Sequence, residues 1–217
     1  MKALQIVSIF AVTSVGFAAQ ASEALLTMVK GPDCQLETEN AVSFLVPFMK
    51  VRTGDRLALG PGCTAQVLYT GAGRQETWNG AVTLTIGEQQ SQPNGTVVPV
   101  VKILPSAALN RLAKAPGVLT DIRSRTGMVM VRSGGLLDKL RETEALYNEM
   151  RGVAMPDDIT PELYLMSALY ELKLFRDVEE IVAEIVARQP DNSEAKSILE
   201  NIRKAMEVTG DSSSSAK

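Results

Sequence analysis

The sequence predicts a segregated α+β protein: an N-terminal antiparallel β-sandwich or barrel-like domain, then a C-terminal helical region. Three observations predict it. Short runs rich in Val, Leu, Thr and Tyr recur between Leu25 and Leu104, divided by Gly, Pro, Asn and Asp. Strands at roughly 8–12-residue intervals with such turns describe a sandwich or barrel. From Leu136 onward the apolar residues instead follow a helical period. Both cysteines, Cys34 and Cys63, fall in the β-like half.

The first element is a leader. Met1-Lys2 precedes an apolar run from Ala3 to Phe17, and Ala19-Gln20-Ala21 places small residues before Ser22. This pattern is that of a secretory signal cleaved after Ala21. The run is diluted by Ser8, Thr13, Ser14 and Gly16, whereas a membrane span needs about 20 strongly apolar residues. An uncleaved anchor is the other reading of the same residues. The chain is therefore expected in the periplasm or outside the cell, where two cysteines 29 positions apart favour one disulfide.

Residues 22–104 hold the predicted strands: 25–30, 41–48, 56–59, 63–70, 81–86 and 96–104. Asn79-Gly80, between QETW and AVTLTI, predicts a tight hairpin, because that pair accepts the positive φ a type I′ turn requires. Pro99 predicts an edge position for its strand. Residues 105–133 form a connecting segment. In it Ser106 caps a short helix that Pro116-Gly117 stops, and MVMVR (128–132) forms one more strand.

The helical region spans 134–208, beginning with a helix over 136–151. Thr160-Pro161-Glu162 predicts the next start, with a hydroxyl cap and proline in the first turn. Val178, Ile181, Val182, Ile185 and Val186 form an amphipathic stripe. Ala195, Ile198, Leu199 and Ile202 repeat it after a break at Pro190. The tail, 209–217, is polar and expected to be disordered.

Composition excludes several classes of chemistry. Histidine is absent, which removes a Ser-His-Asp triad, a Cys-His pair and histidine-ligated zinc. The net charge is −3, or −4 once Lys2 leaves with the signal, so no electrostatic footprint for nucleic acid exists. Aromatic residues make up 5%, which argues against a base-stacking platform or an aromatic sugar-binding cleft. No cofactor or metal is implied.

Candidate chemistry is sparse. Asp33, Glu37 and Glu39 cluster, as a glycan-acting carboxylate pair or a calcium site would require. They sit in a polar, Gly-Pro-rich loop beside Cys34, where solvated acids are expected, and no Asp-x-Asp-x-Asp loop follows. Asp157-Asp158 reads as a charge pair favoured by a helix start. Ser193-x-x-Lys196 and Ser214-x-x-Lys217 match the spacing of a lysine-activated serine. Ser193 is explained by helix capping, and no companion motif occurs. Trp78, the one tryptophan, reads as a buried anchor or as an exposed contact for a ligand.

Two resemblances add to this reading. VRTGDRLALGPGCTAQVLYTG (51–71) with WNGAVTLTIG (78–87) resembles the FecR-type periplasmic β-domain, which implies a non-enzymatic module for sensing, scaffolding or envelope attachment. Residues 168–192 resemble a tetratricopeptide-repeat hairpin, with Leu165, Ala168, Phe175 and Pro190 near its signature positions, although Met166 and Val178 replace its usual small residues. A single repeat cannot bury its own faces. The expected function is protein–protein interaction or scaffolding, with Tyr164, Tyr170 and Phe175 as partner contacts. The partner would be another envelope protein or a second copy. A glycan-binding module presenting Trp78 and a histidine-free carboxylate enzyme are the alternatives.

Overall fold

The structure, a computed structural model, describes residues 23–38, 41–124 and 136–214, excepting the side chains of 136 and 208–214. The leader, Glu39 and the expected strand at 128–132 lie outside the described residues.

Ten strands precede five helices among these residues. The strands are β1 (Glu23–Lys30), β2 (Cys34–Thr38), β3 (Ala41–Phe44), β4 (Lys50–Arg52), β5 (Arg56–Leu59), β6 (Thr64–Tyr69), β7 (Arg74–Asn79), β8 (Val82–Ile86), β9 (Ser91–Asn94) and β10 (Val100–Ile103). They form two antiparallel five-stranded sheets: a central sheet ordered β10-β7-β6-β1-β4 and an outer sheet ordered β3-β2-β5-β8-β9. The predicted sandwich class is correct, and the strand after Pro99 does lie at an edge.

The predicted hairpin at Asn79-Gly80 does not form. β7 belongs to the central sheet and β8 to the outer one, so the chain changes layer there. Gly80 donates its N–H to the Cys63 carbonyl, and a Cβ at Gly80 would lie 2.3 Å from the Gly60 oxygen. Gly31 meets the same turn from the other side, with φ +93° and a virtual Cβ 2.4 Å from the Gly62 oxygen. Two glycines thus let three loops converge on Gly60–Cys63. The Cys34–Cys63 disulfide locks that junction and ties the outer sheet to the central one.

Alternation on each strand builds the first core. Leu26, Val67, Tyr69 and Trp78 of the central sheet face Leu57, Leu84 and Ile86 of the outer sheet. The other face of the central sheet carries Leu25, Leu68 and, past β10, Leu104 into a second core shared with the helices. The central sheet is therefore buried on both sides.

The helices are α1 (Ser106–Ser124), α2 (Leu136–Gly152), α3 (Thr160–Glu171), α4 (Phe175–Arg188) and α5 (Ser193–Ser214). α1 passes through Pro116 rather than stopping there. The reason is burial: Ala108, Leu112 and Ala115 continue as Val118, Leu119 and Ile122 along one buried stripe. That stripe outweighs the backbone hydrogen bond proline removes. Two expected caps also change. Thr160 makes no cap bond, and its N–H is instead taken by Asp158 Oδ1 at 3.0 Å. Asn192, not Ser193, caps α5 through Ala195 N–H at 2.9 Å. α5 itself runs on to Ser214, into the segment expected to be disordered.

Replacing both Cys34 and Cys63 by Ala removes a cross-link spanning 29 positions and is expected to cost about 3–4 kcal/mol. Urea denaturation of the oxidised chain and the double variant measures it.

Candidate functional site

The aromatic residues expected at a partner surface lie inside the protein. Tyr164, Phe175 and Trp78 are each 1% exposed, and Tyr170 is also buried. α3 packs against α1, α2 and α4, so no face of it is left for a docking partner. Tyr164 Oη accepts a hydrogen bond from Arg111 Nη1 at 2.7 Å, and the same guanidinium lies 5.4 Å from the ring centre. Tyr170 donates to Asp121 and meets Phe175 edge-on at 5.5 Å. Trp78 takes the anchoring role foreseen as one of its two readings.

Trp78 points to a feature the sequence concealed. Its Nε1 donates to Glu76 Oε2 at 3.0 Å, inside the sandwich. The wholly buried Glu76 carboxylate also accepts from Arg74 Nε at 2.6 Å and Ser91 N at 3.1 Å. Tyr69 Oη lies 2.8 Å from Ser91 Oγ in the same cluster. Burial raises the Tyr69 phenol to about 12, with Glu76 adding to the rise against the opposing Ser91 hydrogen bond. Trp78, Ser91 and Tyr69 thus find their partners within the cluster, which ties β6 and β7 of the central sheet to the start of β9 in the outer one.

A second buried carboxylate, Glu162 on α3, is clasped by Arg151 of α2 and Arg188 of α4. Arg151 Nη1 donates to both oxygens at 3.1 and 3.0 Å, and Arg188 Nε lies 2.8 Å from Oε1. Tyr147 sits beside this group, raised to about 12 by burial and then by Glu162 and Glu184. Sequence had assigned Glu162 only a helix-start role.

Asp157 and Asp158 likewise join layers, Asp158 buried and Asp157 half-buried at the margin. Gln75 Nε2 of β7 donates to Asp158 Oδ1 at 2.9 Å and to Thr160 Oγ1 at 2.6 Å. Lys102 Nζ of β10 lies 3.5 Å from Asp158 Oδ2. Asp157 pairs with Lys30, whose hydrogen bond holds that carboxyl below its ordinary value.

The acidic candidates separate. Glu37 sits on β2, with an oxygen 3.8 Å from Arg56 Nε of the neighbouring strand, while Asp33 occupies the turn before β2. Among the described residues no group of three Cys, Asp or Glu side chains is placed to hold a metal. A cleft of about 690 Å³ opens between the start of β1 and α1, beside Lys50, Gly117 and Tyr170. Its charges are already paired: Lys50 with Glu23 at 3.1 Å, and Lys114 with Glu171 at 2.6 Å.

Among the described residues, exposed apolar side chains gather at the sheet margins, with Leu137, Val153 and Met155 exposed in the helical half. Val98, Val100 and Ile103 are 80, 68 and 69% exposed, on or just before the edge strand β10. The signal for this was the uncharged run TVVPVV at 96–101. No protein-family model, curated protein or solved structure matches this chain.

Two outcomes test these clusters. Glu162→Ala leaves two guanidiniums without their counter-charge; both keep some solvent, so a loss of about 3 kcal/mol is expected in urea melts. Tyr69 has a folded value raised from 10.0 to about 12, so its stabilisation is complete below pH 10 and lost as pH rises through 12. Stability of the native chain should fall more steeply across that window than stability of Tyr69→Phe, as urea midpoints at successive pH values would reveal.

Proposed function

We propose that this chain is an exported, non-catalytic interaction module that recruits an extended segment of a partner protein to the free edge of β10. The observation that carries this reading is the exposed apolar edge at Val98, Val100 and Ile103. Edge strands offer unpaired N–H and C=O groups to any extended chain, and proteins commonly guard them with outward lysines. Here the lone charge of 96–103, Lys102, is instead turned toward the buried Asp158. The edge is therefore unguarded. Strand addition would supply main-chain hydrogen bonds, and alternate valines would supply side-chain selectivity.

Export is supported by the Cys34–Cys63 disulfide. No helix among the described residues is long and apolar enough to cross a membrane. The FecR-type resemblance of 51–87 agrees with a scaffolding or sensing β-module. The helical hairpin then acts as a buttress for the central sheet, and its aromatics serve packing rather than recognition.

The test is capture from the native envelope fraction by the full oxidised chain. The control carries Val100→Lys and Ile103→Lys, both at exposed sites where stability changes by about 0.5 kcal/mol or less. One stoichiometric protein should be retained by the native chain and at least about ten-fold less by the variant, a loss of about 1.4 kcal/mol in binding. Equal capture by both would remove β10 as the docking edge.

A further inference from the structure

The outer sheet has a solvent face that the sandwich core does not use. Register across its five strands aligns Phe44, Gln35, Ala58, Thr83 and Asn94 in one row, in the order β3, β2, β5, β8, β9. The intervening positions Leu57 and Leu84 point into the core, so this row points outward. Phe44 is 68% exposed. Gln35, Thr83 and Asn94 are part-exposed or exposed, and their side chains make no hydrogen bond to another described residue. At the small Ala58 the face dips into a depression of about 460 Å³, closed at one end by Asp33 and the Gly60-Pro61 turn.

The chemistry of this row selects its ligand. It contains no charged side chain, and the adjacent row neutralises its own Glu37 with Arg56. An anion or nucleic acid would find no cation on the row itself to hold it. A protein interface would place apolar and aromatic groups at its centre, whereas here the centre is alanine flanked by an amide and a hydroxyl, with the aromatic at the rim. Amides and hydroxyls that both donate and accept suit a polyhydroxylated neutral chain, and an exposed ring suits the apolar face of a sugar. Strands lie about 4.8 Å apart, close to the advance per ring of an extended β-linked pyranose chain. Successive side chains thus meet successive sugars, across about 19 Å for the four intervals between five strands.

We propose that the outer face of the β3-β2-β5-β8-β9 sheet binds an extended, neutral, β-linked polysaccharide, with Phe44 stacking on one ring and Gln35, Thr83 and Asn94 bonding the hydroxyls of its neighbours. This site lies on a different sheet from the β10 edge and stands independently of it. Trp78, the tryptophan considered for such a role, takes no part.

Titration calorimetry of the full oxidised chain with chitohexaose, a β-1,4-linked probe, tests the assignment; maltohexaose, whose α-linked chain coils, is the control. Chitohexaose should bind and maltohexaose should bind at least about ten-fold more weakly. Phe44→Ala and the pair Gln35→Ala with Asn94→Ala should each weaken chitohexaose about ten-fold or more. Ala58→Arg, which fills the depression, should abolish binding, and Val153→Lys, at an exposed site in the helical half, should leave it unchanged. Circular dichroism identifies any misfolded variant, and Phe44→Ala, at an exposed site, keeps the test intact if Ala58→Arg fails to fold. Absence of binding by the native chain at millimolar probe, equal affinity for the two sugars, or binding indifferent to Phe44→Ala would each overturn the proposal.

Discussion

The architecture depends on the central sheet being buried on both faces. One face meets the outer sheet and the other meets helices, so its strands must satisfy two cores with alternate residues. A purely apolar second face would pack but would not fix orientation. This one carries Thr27, Gln66, Gln75 and Thr77 among its leucines, and these polar groups are paired. Thr27 Oγ1 donates to Gln66 Oε1 at 2.6 Å, and Gln66 Nε2 to Thr77 Oγ1 at 3.2 Å. Gln75 reaches Asp158 and Thr160, while Gln189 Nε2 donates to the Thr27 carbonyl at 3.0 Å. Directional bonds in a dry layer select one docking of the helices, since any other would strand buried polar atoms.

That constraint separates structural chemistry from surface available for recognition. The ionisable groups with the most unusual surroundings, Glu76, Glu162 and Asp158, are each held by neighbouring side chains inside a core or between layers. They act as staples. The helical hairpin is consumed in the same way, its aromatics packed against α1 and one another. Among the described residues, the surface free of such staples lies at the margins of the sandwich and on the outer sheet, where the edge strands and the side chains of Gln35 and Asn94 face water.

The class of the fold was legible because periodicity reports burial directly. The α4 stripe could be read because one side of that helix faces solvent. α3 offered no such contrast: it is buried all round, so its tyrosines and leucines carried no sign of direction. β2, CQLET, reads as a polar loop because an outer sheet shows water every second residue. β9, SQPN, has little strand character and exists through its pairing with β8. Asn79-Gly80 marks a tight reversal whether the flanking strands pair or part, and the crowding of Gly80 against Gly60 is not a local property. The outer-face row was invisible for the same reason, since register between distant strands brings Phe44 and Asn94 into line.

The bond from Gln189 to Thr27 spans 162 positions, and it carries a consequence for biogenesis. A chain emerging N-terminus first presents all ten strands before α3 and α4 exist. Until the helices that follow the strands arrive, Leu25, Leu68 and the polar row beside them lack their full cover. The nascent β-sandwich is therefore a half-dressed intermediate, with a sticky flank and slow, non-local pairings still to complete. Its dependence on a holding chaperone should be set by how quickly the last third of the polypeptide follows the first.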